Sequence, residues 1–497
     1  TTFKNWGGLV GKSECSINGA VNANTITIST ADKISQIMNF GGVIGYCATG
    51  NLVDCKNYGA IIIDSNGKSA FKTDGEKDFY ELSRDMTSST ATLKPINIGG
   101  IAGKADGNIK NCTNNVDIVG YQNVGGVVGY STGLVIGELR EEPFNEGNWN
   151  NGTIYYTLDG ENNFSALDDD TIQKIIDKED GYTDIKTYTV SGAELSKSVA
   201  GAINVGGVAG YLGSNANSKG TIEGLTVTGD VYGNTNVGGV VGLTGANVSV
   251  RANQVGKTNG EAEPSYANVK AVFVRETVKG MNGKEQKYYV LPTSVGGVIG
   301  YAGDNDTIVS NAVYANITST EESASDNNNS NTDSSTVIST ISNYMYTIDA
   351  NNVEELVQLD FSSEQQLPIY KKDFNNLQTG FGGFIGTANA SITGKVDTNK
   401  IQTTINAGAG VNVGTYYGTY ILNAEYNSIL LPKLMAVNSS NPESESITES
   451  SVNGAYNIGG VIGYLYGGQN LSQDDGFTFT PEHKITVQKN GVGMYVG

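Results

Sequence analysis

The sequence is poor in the residue types on which most catalytic and metal sites depend. Its 497 residues include one histidine (His483), two tryptophans and four cysteines, and they contain no Cys-x-x-Cys pair. A Ser-His-Asp or Cys-His site would have to use His483, which follows Pro481 in a polar stretch. Zinc sites combine several cysteine or histidine ligands. The composition therefore argues against a nucleophilic hydrolase and against a zinc protein.

Proline, basic residues and long apolar runs are also scarce. Only 8 prolines accompany 66 glycines, which excludes collagen and argues against a wholly disordered chain. With 31 basic and 51 acidic residues the net charge is -20, and this disfavours nucleic acid and anionic membrane as partners. No run reaches the roughly 18 apolar residues of a membrane helix, so we expect no membrane insertion in this segment.

One short motif recurs along the whole chain, in nine strict copies of the pattern Gly-Gly-x-x-Gly. Its fullest form is the octet from Asn123 to Tyr130, and looser copies lie at 412–418 and 493–497. Such a unit cannot bury its apolar face alone, so stacked copies are expected to form one continuous core. The nine glycine pairs are Gly7 and Gly8, Gly41 and Gly42, Gly99 and Gly100, Gly125 and Gly126, Gly206 and Gly207, Gly238 and Gly239, Gly296 and Gly297, Gly382 and Gly383, and Gly459 and Gly460.

The octet has the alternation of a strand. As a single strand it would place Val124 and Val128 on one face and Asn123 and Val127 on the other. Glycines at fixed places in a strand indicate close approach of another backbone, or a bend. A packing requirement and a glycine stripe that faces a ligand both remain open. Nucleotide binding is not indicated, because no helix follows the glycines.

A second half-motif follows several copies and supports a resemblance to a known family. In each of the stretches 107–118 and 51–61, an Asn or Asp stands directly before a Cys. Each stretch ends on an apolar residue at the same distance from that Cys. Together with the Gly-Gly core they resemble the GLUG repeat, which is common in large bacterial cell-surface proteins, including adhesins and non-catalytic regions of secreted proteases. The resemblance implies an all-β fold, a parallel β-helix or β-solenoid. It implies nothing about the long insertions.

We therefore expect one elongated β-solenoid over residues 1–497, with long loop insertions. A helix is predicted from Asp168 to Lys178, because an acidic start precedes apolar residues at helical spacing. A hairpin is predicted for 270–291 around Gly280 and Gly283. Trp6 occupies a repeat position that is otherwise apolar and is expected in the core. The insertions are placed at approximately 62–95, 131–200, 250–293, 302–379 and 432–453.

The four cysteines have two interpretations. Cys15, Cys55 and Cys112 share a position in successive repeats, where Leu225 stands in a later one, and this indicates a buried core stack. A disulfide is the alternative, since stacked strands lie about 4.8 Å apart, within the usual Cα separation of a bridge. Cys47 is a second candidate partner of Cys55. Disulfides would agree with secretion.

Calcium is the one metal for which the sequence offers candidates. Asp304, Asp306, Asp474 and Asp475 follow Gly-Gly motifs and could hold Ca²⁺ together with backbone carbonyls. Ordinary turn residues are the alternative, and neither stretch forms a complete EF-hand loop. The acidic run that begins at Asp168 also has two interpretations, a helix start or a calcium ligand set. No other cofactor is expected.

The best functional hypothesis is an extracellular, cell-surface structural or adhesive protein. The stiff repeat rod would present its insertions, chiefly 131–200 and 302–379, to a host or microbial surface glycan or protein. The chain lacks an initial Met, so we expect a processed chain or a segment of a longer one, or else self-association end to end into a filament. The alternative is a glycan-binding or glycan-cleaving β-helix enzyme with a carboxylate site, in which tyrosines take the place of the scarce tryptophans.

Overall fold

The computed structural model shows a parallel β-solenoid of short strands. A full turn is called a rung below. Each of the first six rungs contributes five strands, and the matching strands of successive rungs pair in parallel as five columns. The structure describes residues 2–29, 36–64, 71–74, 77–85, 94–150, 155–158, 164–216, 218–258, 264–279, 285–290, 293–309, 311–319, 380–389, 396–397, 400–406, 410–414, 417–420, 456–459, 462–466, 484–489 and 492–495.

Columns 1 and 2 are formed by the two halves of the repeated motif. In spatial order, column 1 contains Thr2–Gly7, Gln36–Gly41, Lys94–Gly99, Gln122–Gly125, Ile203–Gly206, Thr235–Gly238, Thr293–Gly296, Gly380–Gly382, Tyr456–Gly459 and Gly410–Gly414. Column 2 contains Val10–Ser13, Ile44–Cys47, Ala102–Ala105, Val128–Ser131, Ala209–Leu212, Val241–Thr244, Ile299–Ala302, Ile385–Asn389, Ile462–Tyr466 and Tyr417–Tyr420. Spatial order therefore follows chain order except at the last two rungs, which are exchanged.

Columns 3 to 5 complete the rungs that are described in full. Column 3 contains Ile17–Asn18, Asn51–Val53, Asn108–Lys110, Leu134–Ile136, Thr221–Glu223, Ser249–Arg251, Thr307–Val309 and Val396–Asp397. Column 4 contains Val21–Asn22, Lys56–Asn57, Thr113–Asn114, Ala193–Leu195, Leu225–Val227 and Gln254–Val255, and column 5 contains Ile26–Ser29, Ile61–Asp64, Ile118–Val119, Val199–Ala200, Val231–Gly233, Ala267–Ala271 and Lys484–Lys489. The longer strands Ala312–Ser319 and Lys400–Asn406 pass through both columns, and Val492–Tyr495 pairs antiparallel with the last strand of column 5.

Two further sheets lie outside the columns. Phe71–Asp74, Lys77–Asp85, Phe273–Lys279 and Glu285–Val290 form one four-stranded sheet, so two insertions far apart in sequence share it. Its last two strands pair antiparallel, which confirms the predicted hairpin. The second sheet contains Glu138–Glu141, Tyr188–Ser191, Tyr156–Leu158 and Phe164–Ala166.

That second sheet, with helices α1 (Glu146–Asn150) and α2 (Asp169–Ile176), is called the flank module below. The predicted helix is confirmed as α2, because the Asp168 carboxylate accepts a hydrogen bond from the Thr171 amide at 2.7 Å and caps its first turn. Solenoid strands occupy both ends of the insertion that was expected at 131–200. Leu134–Ile136 belongs to column 3 and Ala193–Leu195 belongs to column 4. Within the described residues, no helix has the length and apolarity to cross a membrane.

The motif octet turns a corner instead of forming one strand. Column 1 ends at Gly125 and column 2 begins at Val128, with a bend between them. As a result Val127 and Val128, although consecutive, are both buried, and Val124 is buried as well. The prediction that Val127 lies on the opposite face from Val124 and Val128 was therefore wrong, because alternation holds only within an unbent strand.

The motif asparagine adopts a left-handed backbone conformation in six consecutive strict copies, from the first to the sixth. These residues form an asparagine ladder, in which each side-chain amide donates to the Oδ1 atom of the preceding rung at 2.7 to 2.8 Å. Their φ angles lie between 53° and 60°, a region that asparagine tolerates better than most residues. The ladder comprises Asn5, Asn39, Asn97, Asn123, Asn204 and Asn236. In the next rung Ser294 stands in place of the asparagine, and its hydroxyl shares a hydrogen bond with the Thr387 hydroxyl.

The motif glycines are required by contact between rungs. A Cβ atom on Gly126 would lie 2.3 Å from the carbonyl oxygen of Gly207, and one on Gly129 would lie 2.4 Å from the carbonyl carbon of Asn97. The space at these glycines is thus filled by neighbouring backbone, which favours the packing interpretation over a stripe that faces a ligand.

Among the described residues, the core runs along the solenoid interior from Ile28 to Ile462 and consists mainly of valine and isoleucine. In column 1, Phe40, Ile98 and Val124 are fully buried. Trp6 pairs with Phe40 at the same position and is 37% exposed. Its expected core position was wrong, because among the described strands only one rung covers it.

Candidate functional site

The last residue of the motif, usually tyrosine, forms a line along column 2. Neighbouring rungs place these residues in register, and all but the exposed Lys12 are half-buried. The set, called the tyrosine stripe below, comprises Lys12, Tyr46, Lys104, Tyr130, Tyr211, Leu243 and Tyr301. The motif explains this line directly, since each rung repeats the residue at one strand spacing, about 4.8 Å.

The ring faces of Tyr46 and Tyr130 in the stripe are occupied by their neighbours. The Lys104 Nζ atom lies 4.7 Å from the Tyr46 ring centroid and 5.2 Å from that of Tyr130, in cation–π geometry. The rings of Tyr130 and Tyr211 stack with centroids 4.8 Å apart and an interplanar angle of 16°. A sugar that stacks on an aromatic residue needs a free ring face, and the rings of Tyr46 and Tyr130 do not offer one.

A polar cluster adjoins the stripe at the turn after column 2. The Tyr46 hydroxyl donates to the Asp106 carboxylate at 2.5 Å, Thr132 donates to its other oxygen at 3.1 Å, and Lys104 lies 3.2 Å away. The hydrogen bond to Asp106 raises the pKa of Tyr46 to about 12. At neutral pH the phenol is protonated and the carboxylate has its partners, so the cluster is arranged as a structural support.

A second set of polar side chains joins the flank module to the solenoid. Glu223 and Arg251 are neighbours in column 3, and Tyr156 comes from the module. The Tyr156 hydroxyl donates to the Glu223 carboxylate, the Arg251 Nε atom donates to the same oxygen at 2.6 Å, and Arg251 Nη2 donates to the Tyr156 oxygen at 3.0 Å. These three residues are called the buried triad.

The electrostatics of the triad follow from its burial. Glu223 is 3% exposed and Tyr156 is fully buried. Burial raises the pKa of the Glu223 carboxyl, and the Arg251 guanidinium opposes that shift. Burial also raises the pKa of Tyr156 far above its ordinary value, so this phenol remains a hydrogen-bond donor. Removal of one partner would leave a buried polar group or charge without compensation, which costs far more than loss of a surface pair.

Apolar side chains surround the triad and complete the junction. Ile136 of column 3 and Tyr156 of the module are both buried, and Leu139, Leu158 and Val190 pack against them. Inside the module, the Phe144 and Tyr155 rings lie 4.9 Å apart. The flank module is therefore a folded unit with its own small core, fixed on column 3.

The flank module is strongly acidic. The sequence from 137 to 192 contains 13 acidic and 4 basic residues, a net charge of -9 out of -20 for the chain. Some of these charges are paired at the surface, as in the contact of 3.0 Å between Lys186 and Glu141. Exposed pairs of this kind contribute little to stability, so the charge mainly shapes the field that a partner meets.

The calcium candidates are separated by the structure. Asp306 is fully buried, and its carboxylate accepts hydrogen bonds from the Thr244 hydroxyl and from the amides of Val248 and Gly303. Asp304 is exposed. The carboxylate of Asp306 thus closes a turn, while Asp474 and Asp475 lie outside the described residues. In the described part of the chain no group of three or more His, Cys, Asp or Glu could hold a metal ion, and calcium binding stays a prediction.

The four cysteines are free thiols in the structure. Cys47, Cys55 and Cys112 are buried, and the Cys55 amide donates to the Cys112 sulfur at 3.3 Å. Cys15 is exposed and lies beside Gly50 instead of Cys55. The shared spacing was misleading for Cys15, because Ile17 pairs with Leu52 and this register places Ala20 next to Cys55.

The sequence did not reveal the triad or the asparagine ladder. A usable signal existed for the triad, since Glu223 and Arg251 occupy the same column 3 position in consecutive rungs, where Ile136 stands one rung earlier. Opposite charges at a repeat position that is apolar in another rung indicate a local partner. Tyr156 itself carries no such signal.

Comparison with known families identifies one rung directly. The family model described as the GLUG motif matches residues 95–119, which span all five columns of the third rung. Comparison with curated proteins and with solved structures gives no match. GLUG is a motif of surface and repeat proteins and not an enzymatic family. The chain is therefore a parallel β-solenoid that carries the GLUG motif and repeats its strands from rung to rung.

Proposed function

We propose that the chain is an extracellular structural and adhesive surface protein, in which the solenoid is the scaffold and the flank module recognises a partner. The observation that carries this proposal is the docking of the module by the buried triad and the apolar cluster around Ile136. Binding residues on a module that is held in place lose less conformational freedom when a partner binds. The GLUG motif at 95–119 agrees with a surface repeat protein.

The charge of the module favours a class of partner. A net charge of -9 over residues 137–192 attracts a surface with basic patches and repels nucleic acid and anionic membrane. We propose a basic protein surface, or a glycan with cationic groups, on a host or microbial cell. The covered rings of Tyr46 and Tyr130 do not offer sugar-stacking faces, so we propose the module as the recognition site.

Deletion of the module tests this proposal. A Cβ atom on Gly137 would lie 2.3 Å from the Ser191 carbonyl oxygen, so the two ends of the module meet and a short Gly-Ser linker can replace residues 138–191. The control variant is Glu194→Gln with Lys257→Gln, which removes an exposed ion pair of 3.0 Å on the solenoid. Both variants should retain the far-UV circular dichroism of the wild type.

The readout is binding to immobilised matrix proteins, glycans and whole cells at two salt concentrations. We expect the deletion to abolish binding, the control to bind like the wild type, and added salt to weaken the wild-type signal. Retention of binding by the deletion variant would reject the module as the recognition site.

Glycan cleavage is the alternative function. A polysaccharide panel followed by reducing-end analysis tests it, and release of sugar by the wild type would replace the adhesive proposal. Self-association along the solenoid axis, or continuation in a longer chain, belongs to the same proposal, since successive strands of column 1 such as Gln122–Gly125, Ile203–Gly206 and Thr235–Gly238 pair in one register. Electron microscopy without crosslinker distinguishes these two possibilities. Fibres with a constant axial repeat would indicate self-association, and single rods would indicate a segment of a longer surface protein.

A further inference from the structure

The tyrosine stripe contains one step at which two tyrosines are direct neighbours in register. Tyr130 pairs with Tyr211, whereas Tyr46 has Lys12 and Lys104 as its neighbours. The next residue after Tyr211 is Leu243. Among the described strand pairs of the stripe, this is the single place where two phenol rings of adjacent rungs face each other.

The strand pairing holds these two rings together. Val128 pairs with Ala209 and Ser131 with Leu212, so the backbones on both sides of the tyrosines are fixed in parallel register. The ring centroids are 4.8 Å apart and the planes differ by 16°. Lys104 lies over the far side of the Tyr130 ring. Among the residues of the stripe, each ring therefore has the other as its neighbouring phenol, and both tyrosines are only half-buried, so part of each side chain is exposed to an oxidant.

We propose that Tyr130 and Tyr211 form an oxidative crosslinking site, at which a one-electron phenol oxidant joins the two rings. The oxidant class is a peroxidase with hydrogen peroxide. Each phenol loses one electron and one proton to become a phenoxyl radical, and the two radicals couple through ring carbons ortho to the hydroxyls. The ring hydrogens at the new bond then move to the oxygens and restore both phenols, while peroxide takes up two electrons and two protons and becomes two water molecules.

The new bond would have a structural consequence. It would join rung 4 to rung 5 and close a loop that contains the flank module, because the chain leaves column 3 after Ile136 and returns at Ala193 between the two tyrosines. A covalent link across such a loop restricts the unfolded chain. The crosslink would thus reinforce the solenoid where a long excursion interrupts it. The chemistry does not depend on the adhesive function.

The test uses the full-length chain with horseradish peroxidase and hydrogen peroxide at low protein concentration, which suppresses bonds between molecules. The digest is searched by mass spectrometry for a linked pair of peptides, two hydrogens lighter than their sum, that contains Tyr130 and Tyr211. We expect this pair in the wild type, its loss in Tyr130→Phe and Tyr211→Phe, and its retention in Tyr46→Phe. Tyr46 is the matched control, because it lies in the same column between two lysines.

A second arm repeats the oxidation in concentrated urea, where the stacking is lost. We expect the Tyr130–Tyr211 pair to disappear in urea and other pairs to form at random. The proposal is overturned if oxidation of the folded chain links other tyrosines but not this pair, or if the yield of this pair is equal in urea. Circular dichroism of each variant confirms that the solenoid remains folded.

Discussion

The asparagine ladder gives a quantitative test of what holds the rungs in register. Asn123 lies in its middle, is 9% exposed, donates to Asn97 Oδ1 at 2.7 Å and accepts from Asn204 Nδ2 at 2.7 Å. The substitution Asn123→Ala removes both hydrogen bonds. It leaves an amide oxygen and an amide N–H without partners, and it places alanine at a φ of 53°.

The expected magnitude follows from two contributions. Each buried group that loses its partner costs about 1 to 3 kcal/mol, so the ladder loss amounts to about 2 to 6 kcal/mol. The left-handed conformation costs alanine about 1 to 2 kcal/mol more. Asn123→Gly should show the ladder loss alone. Asn247→Ala is the matched control, since Asn247 is exposed at a φ of 62° and should show only the conformational cost.

The assay combines urea unfolding with local hydrogen exchange. Repeat arrays can unfold in parts, so midpoints from circular dichroism are accompanied by exchange rates for peptides covering Gln122–Gly125 and Ile203–Gly206. We expect Asn123→Ala to unfold at clearly lower urea than Asn247→Ala and to exchange faster in these strands. Equal destabilisation by the two alanine variants would refute a stabilising role for the ladder.

Three further predictions concern single residues. Gly126→Ala should prevent folding or lower the free energy of unfolding by more than about 4 kcal/mol, because its Cβ atom would lie 2.3 Å from the Gly207 carbonyl oxygen. The control variant Gly147→Ala should remain soluble and folded, because the atom nearest to its Cβ lies at 3.2 Å. Under native conditions a thiol reagent should label Cys15 alone and reach all four cysteines after unfolding, since the other three are buried and burial raises the pKa of Cys47 to about 11; a second native label would contradict the buried positions. Burial raises the pKa of Asp306 to about 6 from 3.8, so the native state binds this proton more tightly than the unfolded state. Stability should therefore rise by up to about 3 kcal/mol as pH falls from above 6 to about 4, relative to Asp306→Asn, and parallel pH profiles of the two proteins would contradict the shift.

The solenoid could be predicted because its determinants are local and repeated. Val124 and Val128 are apolar at fixed distances from the glycines, and the same spacing returns in each copy. A buried strand needs such residues, and a stacked strand needs glycine where backbones touch. The cap of α2 could also be predicted from the sequence, because Asp168 and Thr171 lie three residues apart. The Thr171 amide donates a hydrogen bond to the Asp168 carboxylate without any tertiary contact.

The remaining features depend on partners that are distant in sequence. Asn123 is fixed by residues 26 and 81 positions away, and Tyr156 meets its triad partners across 67 and 95 positions. Period alone could not show the corner after Gly125, because a bend leaves the order of apolar residues unchanged while it changes their direction. The predicted core position of Cys15 was wrong for a related reason. A loop of different length shifts the register of one rung against the next.

The flank module and the solenoid are separable except at the triad. Gly137 donates to the Glu223 carbonyl at 3.1 Å and Ala193 donates to the Gly224 carbonyl at 3.3 Å, so rung 5 continues the pairing whatever lies between. Charges at the position of Glu223 and Arg251 are then required by the module and not by the solenoid. We expect Glu223→Ile with Arg251→Ile to leave the unfolding midpoint of the module-deleted chain unchanged or higher.

In the full chain the same double variant should remove the hydrogen bonds of the buried Tyr156 hydroxyl to Glu223 and Arg251, which costs about 1 to 3 kcal/mol and loosens the module. Limited proteolysis within residues 138–191 measures this release, with the module-deleted chain as the reference for the solenoid. Equal protease resistance of the wild type and the double variant would mean that the apolar contacts around Ile136 hold the module without help from the triad.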